Sequence, residues 1–169
     1  LCSQLFYSDL TEDREQELFA MAWRTEIFQA FLLIEDDIMD QSETRRKKPS
    51  WWKQVGLSTA LNDGLCLHVM THRIMNIFVK DDIVTSLRKE MDDIAYNTSI
   101  GQFMDCYLES NKGNENDYKI MVDMKTAWYT FYEPLMIGVK LSRLSKYKED
   151  SLLSYLKSIC MLIGEYYQA

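Results

Sequence analysis

Apolar residues recur along this chain at helical spacing, and polar clusters break the pattern only a few times. Over residues 12–40 the positions Leu18, Met21, Ala22, Ile27, Phe28, Phe31 and Leu32 fall on one broad face, which predicts an amphipathic helix. The preceding SDLTED offers Ser8, Asp9 and Thr11 as caps, and its acids suit a helix N-terminus. The stretch QSETRRKKPSWWKQVG, residues 41–56, loses the periodicity and holds one of only two prolines, so it is predicted to be a loop. Helices are expected over 57–78 and 81–110, divided by VKDD, and SNKGNENDY is the clearest linker. Helical spacing resumes over 117–144 and 149–169, and no internal repeat appears.

Composition supports the same architecture. Of 169 residues, 47% are hydrophobic and only 6 are Gly and 2 Pro, too few for a fold rich in turns but well suited to long helices around a core. An all-α fold is predicted, as one domain over residues 1–169. A formal charge of -7 excludes a broadly basic nucleic-acid surface. Cys2, Cys66, Cys106 and Cys160 stand far apart, without the paired spacing of a zinc site or a disulfide framework. They read as reduced thiols, and a cytoplasmic location is expected. No apolar run approaches the roughly 18–20 residues that span a bilayer, and no signal peptide is visible. The chain lacks an initiator Met and stops at ICMLIGEYYQA inside a helical pattern, so truncation at both ends is expected.

The acidic pairs carry the first chemical signal. Adjacent aspartates occur at Asp36/Asp37, Asp81/Asp82 and Asp92/Asp93, but only the first pair is followed by another Asp, Asp40, four residues after its leading member. On a helix Asp36 and Asp40 share a face, and their mutual repulsion calls for a cation. Mg²⁺ is the first candidate, because it is commonly held by one or two carboxylates together with substrate phosphates. Asp37 points about 100° away and is expected to support rather than ligate. Arg45 and Arg46 follow closely, and a guanidinium matches phosphate oxygens bidentately. Metal with arginines suggests a diphosphate. The competing explanation is a solvated acidic helix end answered by a basic loop; against it, these acids abut the apolar QAFLLI, where burial demands partners.

The whole stretch QAFLLIEDDIMDQSETRRKKPSWW resembles the first aspartate-rich region of short-chain trans-prenyltransferases of the farnesyl and geranyl diphosphate synthase kind. The likeness continues in order through LND at 61–63, IGQFMDCYLES at 100–110, MKTAWYTFYEP at 124–134 and GEYYQ at 164–168. It implies an isoprenoid synthase-type helical bundle around a central cavity. It also implies a homodimer with Mg²⁺ as cofactor, and a reaction joining an allylic diphosphate head to tail with isopentenyl diphosphate to give geranyl or farnesyl diphosphate.

By that resemblance Asp36 and Asp40 would hold Mg²⁺ and Arg45 would contact the allylic diphosphate, with Arg46 and Gln29 on the isopentenyl diphosphate side. Asp105 would sit near the metals. Lys125 would bind the allylic diphosphate, while Thr126 and Gln168 would set oxygen dipoles beside a carbocation. Phe31 and Leu32, on the turn before the aspartates, would form the floor that stops chain growth. The departures are Lys47 where the family usually has Gly, Ser99 where it commonly has an acid, and the lack of the second aspartate motif, which would begin just beyond Ala169. Two alternatives stay open: a terpene synthase that ionises an allylic diphosphate without condensation, and a non-catalytic paralogue or partner subunit.

Overall fold

The chain enters α1 at Glu12–Met39, the first of a series of long helices in this computed structural model, which describes residues 11–79, 83–143 and 146–168. Thr11 takes the N-cap place without a side-chain hydrogen bond, so the first turn relies on Glu12, Asp13 and Glu15 against the helix dipole. Ser8 and Asp9, expected as caps, lie outside the described residues, as do Cys2 and the pair Asp81/Asp82. A short ribbon follows, β1 Thr44–Arg45 paired antiparallel with β2 Lys48–Pro49, and then α2, Trp51–Val55. The remaining helices are α3, Leu57–Phe78, and α4, Ile83–Ser110, then α5, Glu115–Val122, and last α6, Glu133–Leu141, and α7, Lys146–Gln168. Between α5 and α6 the chain continues without a break as a π-helix, Asp123–Tyr132.

The predicted loop over 41–56 is thus more ordered than expected. Arg45 faces Lys48, which leaves Arg46 and Lys47 as a two-residue turn at φ 51° and 66°. Such a turn needs the left-handed region at both positions, where glycine or asparagine is the usual occupant. Tertiary bonds hold it: the Ser42 carbonyl accepts from Ser50 Oγ at 2.6 Å and from Trp52 Nε1 at 2.9 Å, and Trp51 Nε1 donates to Asp63 at 2.8 Å. The serine and both tryptophans of the PSWW run therefore pin the ribbon against its own base and against α3.

α5, the π-helix and α6 form one rod at the centre, and α1, α4 and α7 all pack on it. Along α1, Arg14 bonds the Leu141 carbonyl, Arg24 pairs with Glu133 and Asp36 pairs with Lys125, so α1 and the rod run antiparallel. On α4, Ser86 meets Lys140 while Gly101 meets Lys125, again antiparallel. α3 covers the other flank of α1, where Glu35 meets Gly64 and Phe28 meets His68. The core is rich in methionine, with Met21, Met75, Met91 and Met136 joined by Leu87, Ile94 and Leu141 at 1% exposure or less. Each such side chain stabilises the fold by about 1.5–3 kcal/mol relative to exposure, and methionine adapts to irregular gaps between helices. Among the described residues no helix is long and apolar enough to cross a membrane, and Cys66, Cys106 and Cys160 are free thiols.

Candidate active site

Two glycines decide how the site is built. A Cβ on Gly101 would stand 2.2 Å from the Lys125 backbone nitrogen, and one on Gly164 would stand 2.5 Å from Ala127 Cβ. The missing side chains let α4 and α7 close on the π-helix from two sides. Hydrogen bonding in the π-helix runs from residue i to i+5 rather than i+4, as where the Glu133 amide donates to the Trp128 carbonyl. Lys125, Thr126, Tyr129 and Thr130 of this π-helix all face one cavity. Nothing in the residue pattern of 117–144 signals this; periodicity there predicted an ordinary helix.

The cavity has a volume of about 650 Å³, within the range of small-molecule sites. Its wall includes Gln29, Phe31, Leu32, Asp36, Arg45, Arg46, Lys125 and Thr126, all singled out in the sequence. Phe28, one turn before, is core: it is 1% exposed and its ring lies 6.0 Å from that of Phe31. The side chain of Gln168 lies outside the described residues.

Charge is concentrated at one end. Arg45 Nε donates to both Asp37 carboxylate oxygens at 2.9 Å, and its Nη2 donates to Asp36 Oδ2 at 2.8 Å. Asp37 is buried, so it fixes the Arg45 fork from behind, the supporting role its position on the helix suggested. Lys125 Nζ bonds Asp105 Oδ2 at 2.5 Å and lies 3.0 Å from Asp36 Oδ1. Burial works against the Lys125 cation, but the bonds to Asp105 and Asp36 outweigh it and hold its pKa above the usual lysine range. Asp36 thus answers two cations at once, one from the ribbon and one from the π-helix.

Asp40 is not part of the cavity wall. Its carboxyl is pushed above the ordinary range by partial burial and then by the Asp36 charge, with Glu109 and Asp105 adding to the effect and Lys125 opposing it. This is the electrostatic strain that a divalent cation relieves: hard oxygen donors one turn apart, in a neighbourhood with excess negative charge. Among the described residues no three His, Cys, Asp or Glu side chains converge into a ready-made cage. The donor set fits Mg²⁺, which keeps waters and phosphate oxygens in its shell, better than a metal held by protein alone. Tyr129 and Thr130, which line the cavity, and Glu109, whose charge bears on Asp40, carry no spacing signal of their own in the sequence.

The rest of the wall adds Leu33, Phe103 and Tyr167 to Phe31 and Leu32, with Glu35 as a further acid among them. An anionic head and an apolar tail would both find complementary surroundings.

Known proteins agree with this architecture. Residues 1–169 match the sequence model of the family described as Polyprenyl synthetase. Farnesyl pyrophosphate synthase of Gallus gallus is 32% identical over 157 residues, which cover 88% of this chain and 42% of that protein. The Homo sapiens farnesyl pyrophosphate synthase is 30% identical over 177 residues, 96% of this chain and 41% of the relative. In three dimensions the T. Brucei farnesyl diphosphate synthase superposes with a TM-score of 0.82 at 31% identity, over 99% of this chain and 53% of that one. The chain spans about half the length of these relatives or less. A family match that runs from the first residue to the last, over a bundle that superposes on a solved relative, means that the chain belongs to the polyprenyl synthetase family.

Proposed function

We propose that the full-length protein is a Mg²⁺-dependent short-chain prenyltransferase of the farnesyl or geranyl diphosphate synthase kind. It joins an allylic diphosphate to isopentenyl diphosphate head to tail, works as a homodimer in the cytoplasm, and has residues 1–169 as part of a single helical domain. The observation that carries this reading is the polarity of the cavity: Asp36, Arg45 and Lys125 gather at one end and Phe31 and Leu32 line the wall beyond. The farnesyl synthases among its relatives support the same reaction.

Asp36 and Asp40 would hold Mg²⁺, which when bound supplies charge neutralisation on the departing diphosphate. Arg45 offers a fork kept rigid by Asp37, so its contact with a diphosphate needs little reorganisation. Lys125 stays cationic at every working pH, because its raised pKa is lost only in strong alkali, and it adds a point charge to the same leaving group. Thr126 and Gln168 would turn oxygen dipoles toward the allylic cation left behind. Arg46 and Gln29 would bind the isopentenyl diphosphate, and the apolar wall keeps water from capturing the cation.

The test is product analysis with dimethylallyl or geranyl diphosphate and Mg²⁺, with and without isopentenyl diphosphate. Geranyl or farnesyl diphosphate should form only when both metal and isopentenyl diphosphate are present. A terpene hydrocarbon or alcohol made without isopentenyl diphosphate would replace this reading with a terpene synthase, and no turnover at all would favour a non-catalytic partner. Asp36→Ala should abolish turnover with an unchanged circular dichroism spectrum, since Arg45 keeps Asp37 and Lys125 keeps Asp105. Normal activity in that variant would remove Asp36 from the metal site.

A further inference from the structure

Down α1 from Asp36 the cavity wall changes from charge to hydrocarbon at Leu33, Leu32 and Phe31. Phe31 lies about 7.5 Å along the helix axis from Asp36, at 1.5 Å rise per residue. A diphosphate gripped by Asp36, Arg45 and Lys125 therefore directs its tail toward the Phe31 ring. That ring is half-buried and rests on α3. A Cβ on Gly64 would stand 2.5 Å from Glu35 Oε1 and 3.7 Å from Phe31 Cδ2, so the Glu35 carboxyl and the Phe31 ring both lie against α3 where this glycine lacks a side chain. One turn further along α3, His68 fills the adjoining space, its ring centroid 4.9 Å from that of Phe31 and tilted by 42°.

His68 lies behind the cavity wall. Its ring also meets Phe28 at 6.4 Å and the edge of His72 at 5.2 Å. Among the described residues its Nδ1 has no hydrogen-bond partner, so packing holds the ring in place. Burial lowers its basicity first, and the neighbouring His72 and Arg24 add to this, with Asp92 opposing. The ring is then uncharged at neutral pH and packs on Phe31 as an aromatic surface.

We propose that His68 is a specificity-determining residue of the cavity: by filling the space on α3 against the Phe31 ring it props that ring across the path of the prenyl tail and so limits the tail length that the site accepts. Without the imidazole, Phe31 can settle toward α3 and the cavity deepens. The inference rests on reading the cavity as a prenyl diphosphate site, and it concerns depth alone, so it can be measured without turnover.

The experiment measures binding of dimethylallyl, geranyl, farnesyl and geranylgeranyl thiolodiphosphates, which resist ionisation, to the full-length protein with Mg²⁺ by calorimetry. In the wild type, affinity should drop at the first tail that overruns Phe31. His68→Ala should move the drop to the next longer member and tighten binding of the first excluded tail by about tenfold, the low end of discrimination for a single methylene. His68→Phe, which restores a ring, should keep the wild-type limit. Should His68→Ala fail to fold, His68→Val removes less volume and gives the same comparison. An unmoved limit in a folded His68→Ala protein, or a wild type that binds all four alike, would overturn the role of His68 and leave the diphosphate site standing. Failure of the wild type to bind any of the four would overturn the diphosphate reading and this inference with it.

Discussion

Lys47 shows what one residue can cost. It stands at φ 66° in the turn that carries Arg45 and Arg46 toward the cavity, a conformation that disfavours any side chain with a Cβ by roughly 1–2 kcal/mol. Lys47→Gly should raise stability by about 1 kcal/mol after the loss of backbone entropy, read as a higher urea midpoint with an unchanged slope. The strained turn persists because Ser42, Ser50 and Trp52 hold its base. Local spacing marked Asp36 and Asp40 as paired, and the family resemblance marked Lys47 as a departure from the usual glycine. Neither revealed that Asp36 would answer Arg45 and Lys125 together, since those cations arrive from segments far apart in the chain.

At the scale of helices, the glycines on α3 and α4 separate close packing that is fixed from packing that can give. Gly101→Ala would drive a methyl into the Lys125 and Met124 backbone, which cannot move without parting α4 from the π-helix. A loss of about 3 kcal/mol or more is expected, with a fall in near-ultraviolet circular dichroism as the cavity wall loosens. Gly64→Ala meets instead the flexible end of Glu35, and better helix propensity of about 1 kcal/mol works in its favour. Its thermal midpoint should shift far less than that of Gly101→Ala; equal losses would contradict the packing described. The boundaries of α1, α3, α4 and α7 were readable to within a few residues, because buried faces repeat at helical spacing. The π-helix and the ribbon were not, since each depends on partners outside its own segment.

Across the whole molecule, the buried pair of Arg24 on α1 and Glu133 on α6 ties the outer helix to the central rod, at 2% and 0% exposure. Burial pushes the Glu133 carboxyl above its usual range, and Arg24 opposes the shift. Arg24→Met alone should cost about 3–5 kcal/mol, since it leaves a buried acid without its partner. A carboxyl with a raised folded-state pKa favours the fold while protonated, so this deficit should grow as pH rises above 4.5 and shrink on acidification. Arg24→Met with Glu133→Leu should recover most of the loss, and chemical denaturation of the cycle at two pH values checks both statements. Apolar side chains also remain exposed along one side of α3, with Leu57, Leu61 and Leu65 between 43% and 60%. A face of that kind is what a subunit interface would cover, which supports the homodimer reading. The order of residues by itself determined the helical class, the linker, the paired aspartates and the arginines after them, because periodicity and local repulsion act over a few positions. Only the tertiary structure decided that Lys125 reaches Asp36, that Gly101 and Gly164 admit the π-helix, and that His68 stands behind Phe31, because these contacts join segments whose approach is set by packing.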